Sequence, residues 1–288
     1  MFNALLKTMR PKQWAKNIFL FAAVTFDRKL TVLDTMLHAV LGMIVFSLIA
    51  SVVYIINDIA DIEADRQHPI KRKRPIASGQ LSLRSAWTFA MLLLLIAFPA
   101  AYWLSPLFAL ICFVYLVLNL AYSRWFKHIV LLDIIILASF YVIRVAAGVA
   151  LIQVERFSPW IYIFTTFLAL LIGAGKRRAE LSQLVHASNT RRVLDGYTLN
   201  FLDQVITLAA GMTIITYSLY TFSAVNLPEN HLMMLTIPFI IYGVLRYQYL
   251  LQVNEVGGAP EDLVFSDRPL QMAVVLWGLA VLAVFYFS

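Results

Sequence analysis

Long apolar runs separated by short polar connections dominate this chain. Runs long enough to cross the hydrocarbon of a bilayer fall at about 13–31, 35–57, 84–104, 106–122, 129–151, 158–176, 200–223, 232–251 and 270–287. This pattern predicts nine transmembrane helices. The first is the most interrupted, with Lys16, Asn17, Asp27, Arg28 and Lys29 inside or beside it. The longest polar connections, about 58–83, 177–199 and 252–269, all fall on one side of such a bundle.

Composition agrees: 61% of the 288 residues are hydrophobic and 14% charged, which excludes a soluble domain with one ordinary core. The expectation is an all-α polytopic membrane protein forming a single domain over residues 1–288. The 23 Lys and Arg residues then orient it. With the N-terminus cytoplasmic, only Arg28, Lys29 and Arg156 fall outside, and Arg144 and Arg246 fall within spans. Nine spans put the C-terminus outside, in a multi-pass arrangement in the plasma membrane. No signal-peptide cleavage pattern is evident, so the N-terminus is expected to be retained. The lone cysteine, Cys112, lies in an apolar span and reads as packing. The formal net charge of +7 does not imply nucleic acid, because the cations flank spans. Anionic head groups and phosphorylated substrates explain it better.

Acids at a membrane boundary need a reason. The segment Asn57-Asp58-Ile59-Ala60-Asp61-Ile62-Glu63-Ala64-Asp65-Arg66 joins an apolar span to the basic run His68-Pro69-Ile70-Lys71-Arg72-Lys73-Arg74-Pro75. If the helix continues through Asp65, then relative to Asn57 the residues Asp61, Asp65 and Asp58 stand at about 40°, 80° and 100°, and Glu63 at about 240°. Four oxygen-bearing side chains share that face and Glu63 does not. Such crowded carboxylates repel unless a cation sits among them, and all-oxygen ligands suit Mg²⁺, which usually brings phosphate.

Further polar groups gather on the same predicted side. Asp133 and Arg144 are eleven residues apart, which places them about 20° apart on a helix, three turns along one face. Charges within spans normally face protein or a water-filled cavity, and Arg144 fits either a structural or a functional contact. After the sixth span, Gly173-Ala174-Gly175-Lys176-Arg177-Arg178-Ala179-Glu180 allows Glu180 to pair with Lys176 or Arg177, while its glycines permit close approach by a helix or ligand. Arg178, Arg191 and Arg192 read as membrane-flanking anchors. The segment from Glu255 to Pro269 is either a lid or a plain connector. Metal-binding Cys or His spacing, a serine nucleophile elbow, a Walker loop and a dinucleotide fingerprint are all missing.

The run Asn57-Asp58-x-x-Asp61-x-x-x-Asp65, followed by Arg74-Pro75-Ile76-Ala77-Ser78-Gly79, resembles the first aspartate-rich motif and adjoining loop of the UbiA superfamily of intramembrane prenyltransferases. The second aspartate-rich motif of that family, expected in the loop after the sixth span, is replaced by glycine, cations and Glu180. That replacement is similar to the decaprenyl-phosphate phosphoribosyltransferase branch. So are Arg10-Pro11-Lys12-Gln13-Trp14-x-Lys16-Asn17, Tyr122 with Lys127 and His128, Asp133 with Arg144, and Gly175-Lys176-Arg177-x-x-Glu180.

The resemblance implies a UbiA-type bundle with a cytoplasmic site. It further implies Mg²⁺-dependent transfer of 5-phosphoribose from phosphoribosyl pyrophosphate to a polyprenyl phosphate, with pyrophosphate released, in cell-envelope arabinan synthesis. Asp58, Asp61 and Asp65 are then the catalytic metal-binding acids, with Asn57 as a neutral ligand. Lys16, Lys71, Arg72, Arg74, Tyr122, Lys127, Asp133, Arg144, Lys176, Arg177 and Glu180 form the candidate substrate-binding set. The rival expectation is a conventional prenyltransferase with a prenyl diphosphate donor and an aromatic acceptor.

Overall fold

The computed structural model describes residues 2–152, 154, 158–184, 196–224, 227–228, 230–253, 263 and 266–287. Arg156, Arg191, Arg192 and most of the 255–269 connection lie outside the described residues. Helix is the regular structure throughout, and among the described residues no strand occurs. The elements are α1 (Phe2–Met9), α2 (Phe21–Phe26), α3 (Leu33–Ala60), α4 (Ile62–Gln67), α5 (Leu83–Leu104), α6 (Pro106–Arg124), α7 (Leu132–Leu151), α8 (Pro159–Leu184), α9 (Leu199–Ser223), α10 (Ile237–Gln252) and α11 (Arg268–Phe287).

Among the described residues, eight helices are long and apolar enough to cross a membrane: α3, α5 to α9, α10 with the turn before it, and α11. The protein is a multi-pass membrane protein. The ninth candidate span, 13–31, is not one long α-helix, so eight of the nine expected spans are found as long helices among the described residues. That stretch comprises a 3₁₀ segment, Pro11–Leu20, followed by the short α2.

The chain divides into two compact units, 1–124 with 143–154 and 125–142 with 155–288. In the first unit, α3 packs against α1, α5 and α6. Small and hydroxyl residues let the broken N-terminal segment lie close to α3. Asn17 donates to Ser47 Oγ at 2.8 Å, and Trp14 Nε1 donates to Ser51 Oγ at 3.1 Å. Such small polar contacts hold helices together where lipid removes the hydrophobic drive between them. Gly148 marks a close approach: a Cβ there would stand 2.0 Å from the Leu20 carbonyl oxygen.

Local signals set the helix ends. Ser82 caps α5 by accepting from Ser85 N–H at 3.1 Å, and Thr198 caps α9 by accepting from Phe201 N–H at 3.1 Å. Pro106 opens α6 at its first turn, where its missing N–H costs nothing.

In the second unit, α9 packs against α8 and α10, and α10 against α11. Its core includes Ile134, Leu171, Ala174, Leu202, Ile206, Val244, Leu250 and Leu270. Tyr217 ties three elements together: Trp277 Nε1 donates to its hydroxyl at 2.7 Å, and Thr236 Oγ1 lies at 2.6 Å.

Candidate functional site

In the first unit, α3 ends at Ala60. Asp61 then takes φ −96° and ψ 12° before α4 begins. The hydrogen bonds from Asp61 N–H to Asn57 C=O and from Asp65 N–H to Asp61 C=O persist at 2.9 and 2.8 Å, so the axis bends without breaking off. This corrects the continuous-helix expectation. Asp61 is exposed, whereas Asp58 and Asp65 are buried at 2% and 3%. Glu63 lies away from them as expected, exposed and paired with Arg66 at 3.0 Å.

The buried acids are held by arginines. Arg74 Nη1 donates to Asp58 Oδ1 at 3.0 Å and to Asp65 Oδ2 at 2.6 Å, so one nitrogen bridges two carboxylates. Arg10 Nη2 also donates to Asp58 Oδ1. Arg10 reaches there from a left-handed backbone, φ 54° and ψ 61°, immediately before Pro11. A non-glycine residue holds that conformation only where its surroundings over-determine it. Here the Asp58 pair and the Tyr54 ring, 5.2 Å from the guanidinium, supply those constraints. Asn57 Oδ1 accepts from Ser123 Oγ at 2.8 Å. Of the basic run, Lys71, Arg72 and Lys73 form an exposed 3₁₀ turn, and Arg74 after them is half-buried.

Mg²⁺ in phosphate-handling sites usually takes one or two carboxylates and completes its shell with phosphate and water oxygens. Two buried carboxylates close enough for one cationic nitrogen to bridge them, beside the Asn57 amide oxygen, fit that donor set. Among the described residues no group of three or more His, Cys, Asp or Glu side chains could hold a metal by itself. Asp58 and Asp65 are therefore the buried acids of the expected three-acid face, and Asp61 is its exposed one.

A second buried network lies deeper in the same unit. Arg144, 4% exposed, donates from Nε to Asn17 Oδ1 at 2.8 Å and from Nη2 to Tyr115 Oη at 3.0 Å, with the Phe46 and Tyr115 rings within 5.4 Å of its guanidinium. Lys16 is half-buried in the adjoining 3₁₀ segment, and Tyr122 half-buried in the last turn of α6.

In the second unit, α8 runs on to Leu184, so Arg177 and Glu180, beyond the expected end of the sixth span, stand with Lys176 on one helix, as their helical spacing allows. Gly173 and Gly175 serve helix packing. A Cβ at Gly173 would meet Ile134, and one at Gly175 would meet the Tyr247 hydroxyl at 2.6 Å. Arg177 is only 1% exposed; its Nε donates to Asp133 Oδ2 at 2.6 Å and its Nη1 to Glu180 Oε2. Tyr197 Oη donates to Asp133 Oδ1 at 2.6 Å and accepts from Leu131 N–H at 2.6 Å. Burial, and then its hydrogen bond to Asp133, push the Tyr197 hydroxyl above the ordinary tyrosine range, so it remains a donor at neutral pH.

Asp133 and Arg144 are both buried on α7, Asp133 with Arg177 and Tyr197 and Arg144 with Asn17 and Tyr115. Arg178, expected as a solvated anchor, is buried and tied to Asp203 at 2.6 Å and to the Leu251 carbonyl at 2.6 Å. Lys127 and Lys176 are half-buried. Sequence reasoning missed Arg10, Tyr115, Ser123 and Tyr197 as site residues. In sequence Arg10 is only the first residue of the quoted Arg10-Pro11-Lys12-Gln13-Trp14 match, with no role of its own, and Tyr197 carries no spacing signal.

Known proteins resemble this chain in sequence and in fold. The decaprenyl-phosphate phosphoribosyltransferase of Mycobacterium tuberculosis is 35% identical over 282 residues, which cover 95% of this chain and 91% of that protein. The enzyme of that name from Mycolicibacterium smegmatis is 35% identical over 303 residues, covering 99% and 93%. A UbiA homolog from Archaeoglobus fulgidus, solved bound to DMAPP and Mg²⁺, shares the fold with a TM-score of 0.72 at 21% identity, covering 99% of each chain. The UbiA prenyltransferase family matches residues 18–261. This chain therefore belongs to the UbiA prenyltransferase family.

Proposed function

We propose that this protein transfers 5-phosphoribose from phosphoribosyl pyrophosphate to a polyprenyl phosphate of the decaprenyl type and releases pyrophosphate. The observation that carries this reading is the match to enzymes named decaprenyl-phosphate phosphoribosyltransferase along 91–93% of their length. The Lys176-Arg177-x-x-Glu180 stretch of α8 supports it, because it replaces the second acidic motif that the UbiA resemblance leads one to expect after the sixth span. Residues 1–288 are read as one UbiA-type domain, since the family match runs through both units.

In this reading the donor's C1–O bond to pyrophosphate breaks, the electron pair leaves with pyrophosphate, and an oxygen of the lipid phosphate bonds to C1. The attacking phosphate is already anionic at neutral pH, so the protein needs no strong base. Its work is placement and charge compensation. Asp58 and Asp65, with Asn57 and more peripherally Asp61, would hold Mg²⁺. When bound, the ion supplies positive charge to the departing pyrophosphate. Lys71, Arg72 and Arg74 are assigned to the donor's phosphates. Lys16, Tyr122, Lys127, Arg144 and Lys176 are assigned to the remaining phosphates, while Arg177 orders Asp133 and Glu180.

The site is assigned to the cytoplasmic side of the plasma membrane, with the N-terminus cytoplasmic and the C-terminus outside, from the lopsided distribution of Lys and Arg. Arabinan synthesis for the cell envelope is the setting proposed for the product. The test uses purified protein, Mg²⁺, radiolabelled phosphoribosyl pyrophosphate and decaprenyl phosphate. The expected result is label in a lipid product and an equal yield of pyrophosphate. No label in lipid, with turnover of a prenyl diphosphate and an aromatic acceptor instead, overturns the proposal in favour of conventional prenyl transfer.

A further inference from the structure

We infer that Arg74 and a divalent cation are alternative counterions for the Asp58–Asp65 pair, so that metal binding at this face proceeds by exchange with the Arg74 guanidinium. The inference rests on the metal-holding role proposed above for these acids, and it adds a competitor built into the chain.

Several observations lead to it. Asp58 and Asp65 are both almost wholly buried, and both direct an oxygen at the same Arg74 nitrogen, at 3.0 and 2.6 Å. Two buried carboxylates this close require a cation between them, whatever its identity. A single bridging nitrogen occupies the point from which an ion would reach both oxygens. Arg74 is also placed to leave. Its side chain is 28% exposed, against 2% and 4% for the two acids. It stands at the end of the exposed Lys71–Lys73 turn, with extended backbone, φ −65° and ψ 144°. Arg10 is equally exposed, at 30%, but of the two acids it is paired with Asp58 and does not bridge, and its constrained left-handed backbone and the Tyr54 ring hold it in place. Arg10 is therefore the fixed partner and Arg74 the exchangeable one.

Exchange has a thermodynamic consequence. A guanidinium released from two carboxylates is available to an anionic phosphate, so phosphate that captures Arg74 favours the metal, and metal favours phosphate, by the same factor. The two ligands are coupled through one side chain. Donor and metal then enter together more readily than either enters alone.

The test measures Mn²⁺ binding to the full-length purified protein by electron paramagnetic resonance, with and without inorganic pyrophosphate. In wild type, pyrophosphate is expected to tighten Mn²⁺ binding. Arg74→Gln is expected to bind Mn²⁺ about tenfold tighter without pyrophosphate, within the usual range of such couplings, and to lose most of the pyrophosphate effect. Arg74→Lys keeps the charge but replaces the fork by a point ammonium, and it should fall between the two. It also serves as the folded reporter should the Gln variant fail to fold. Mn²⁺ affinity equal to or weaker than wild type in the folded variants overturns the exchange. Asp58→Asn separates the levels. If it abolishes the Mn²⁺ signal while the Arg74 variants match wild type, the metal face stands and the exchange falls. If it leaves Mn²⁺ binding intact, the metal face itself is wrong, and the exchange falls with it.

Discussion

Burial decides what each cation here can do, and Arg177 is the sharpest case. Spacing puts it within reach of Glu180, as found, but spacing says nothing of Asp133 and Tyr197, which come from distant parts of the chain. Enclosed at 1% exposure between two carboxylates, Arg177 is committed to protein partners, and the expectation that it binds a phosphate directly gives way to one of positioning. Its removal should therefore register first in stability. Arg177→Gln leaves Asp133 buried without its cation, which costs about 3–5 kcal/mol in comparable buried pairs. The expected outcome is a marked fall in the unfolding temperature of detergent-purified protein. Glu180→Gln touches the half-exposed end of the network and should lower that temperature far less. Equal effects from the two would show that Asp133 does not depend on Arg177. The acids at 58 and 65 were legible from their spacing, as was the exclusion of Glu63. That Asp61 is exposed while Asp58 and Asp65 are buried was not, because a local bend at one residue leaves no trace in a periodic pattern.

At the level of elements, apolar run length located every long helix, and cap residues such as Ser82 and Thr198 fixed several starts. The polar ends were harder. Helix α8 continues past the apolar run to Leu184 because Arg177 and Arg178 are satisfied inside the protein and need not reach water. The start of α11 depends on one carboxylate. Asp267 accepts from Leu270 N–H at 2.8 Å and from Arg246 on α10 at 2.8 Å, joining two helices and capping one. The hydrogen bond from Arg246, with the Leu270 amide, holds the Asp267 carboxyl below its ordinary value of 3.8. Since the folded value is the lower one, this group's stabilisation is fully present above about pH 4 and is lost as pH falls through the folded value. Thermal unfolding of wild type and Asp267→Asn across pH 3 to 7 should show a constant gap above about pH 4 that closes at lower pH. A gap that is independent of pH would assign the stabilisation to something other than the carboxylate's charge.

For the whole molecule, composition alone requires a membrane, and the sides proposed above rest on the distribution of cations. The broken segment 11–26 shows the limit of that reasoning. Its polar residues Trp14 and Asn17 find partners on α3, so one side of it packs against protein while Ile18 remains exposed, and it forms no single long apolar α-helix. The assignment of sides nevertheless rests on features that the break does not touch. Helix α3 is continuous from Leu33 to Ala60, with Thr31 exposed before it and Ser78 exposed after the basic turn. If α3 crosses the bilayer once, these two positions face opposite compartments. The sole native cysteine, Cys112, is buried, so an introduced cysteine reports alone. Ser78→Cys should react with a membrane-impermeant maleimide in inverted vesicles and stay unmodified in intact cells, and Thr31→Cys should do the reverse. The opposite pattern would place the Asp58–Asp65 face on the outer side. There it would have no access to a cytosolic phosphoribosyl donor, and the proposed reaction would lose its substrate.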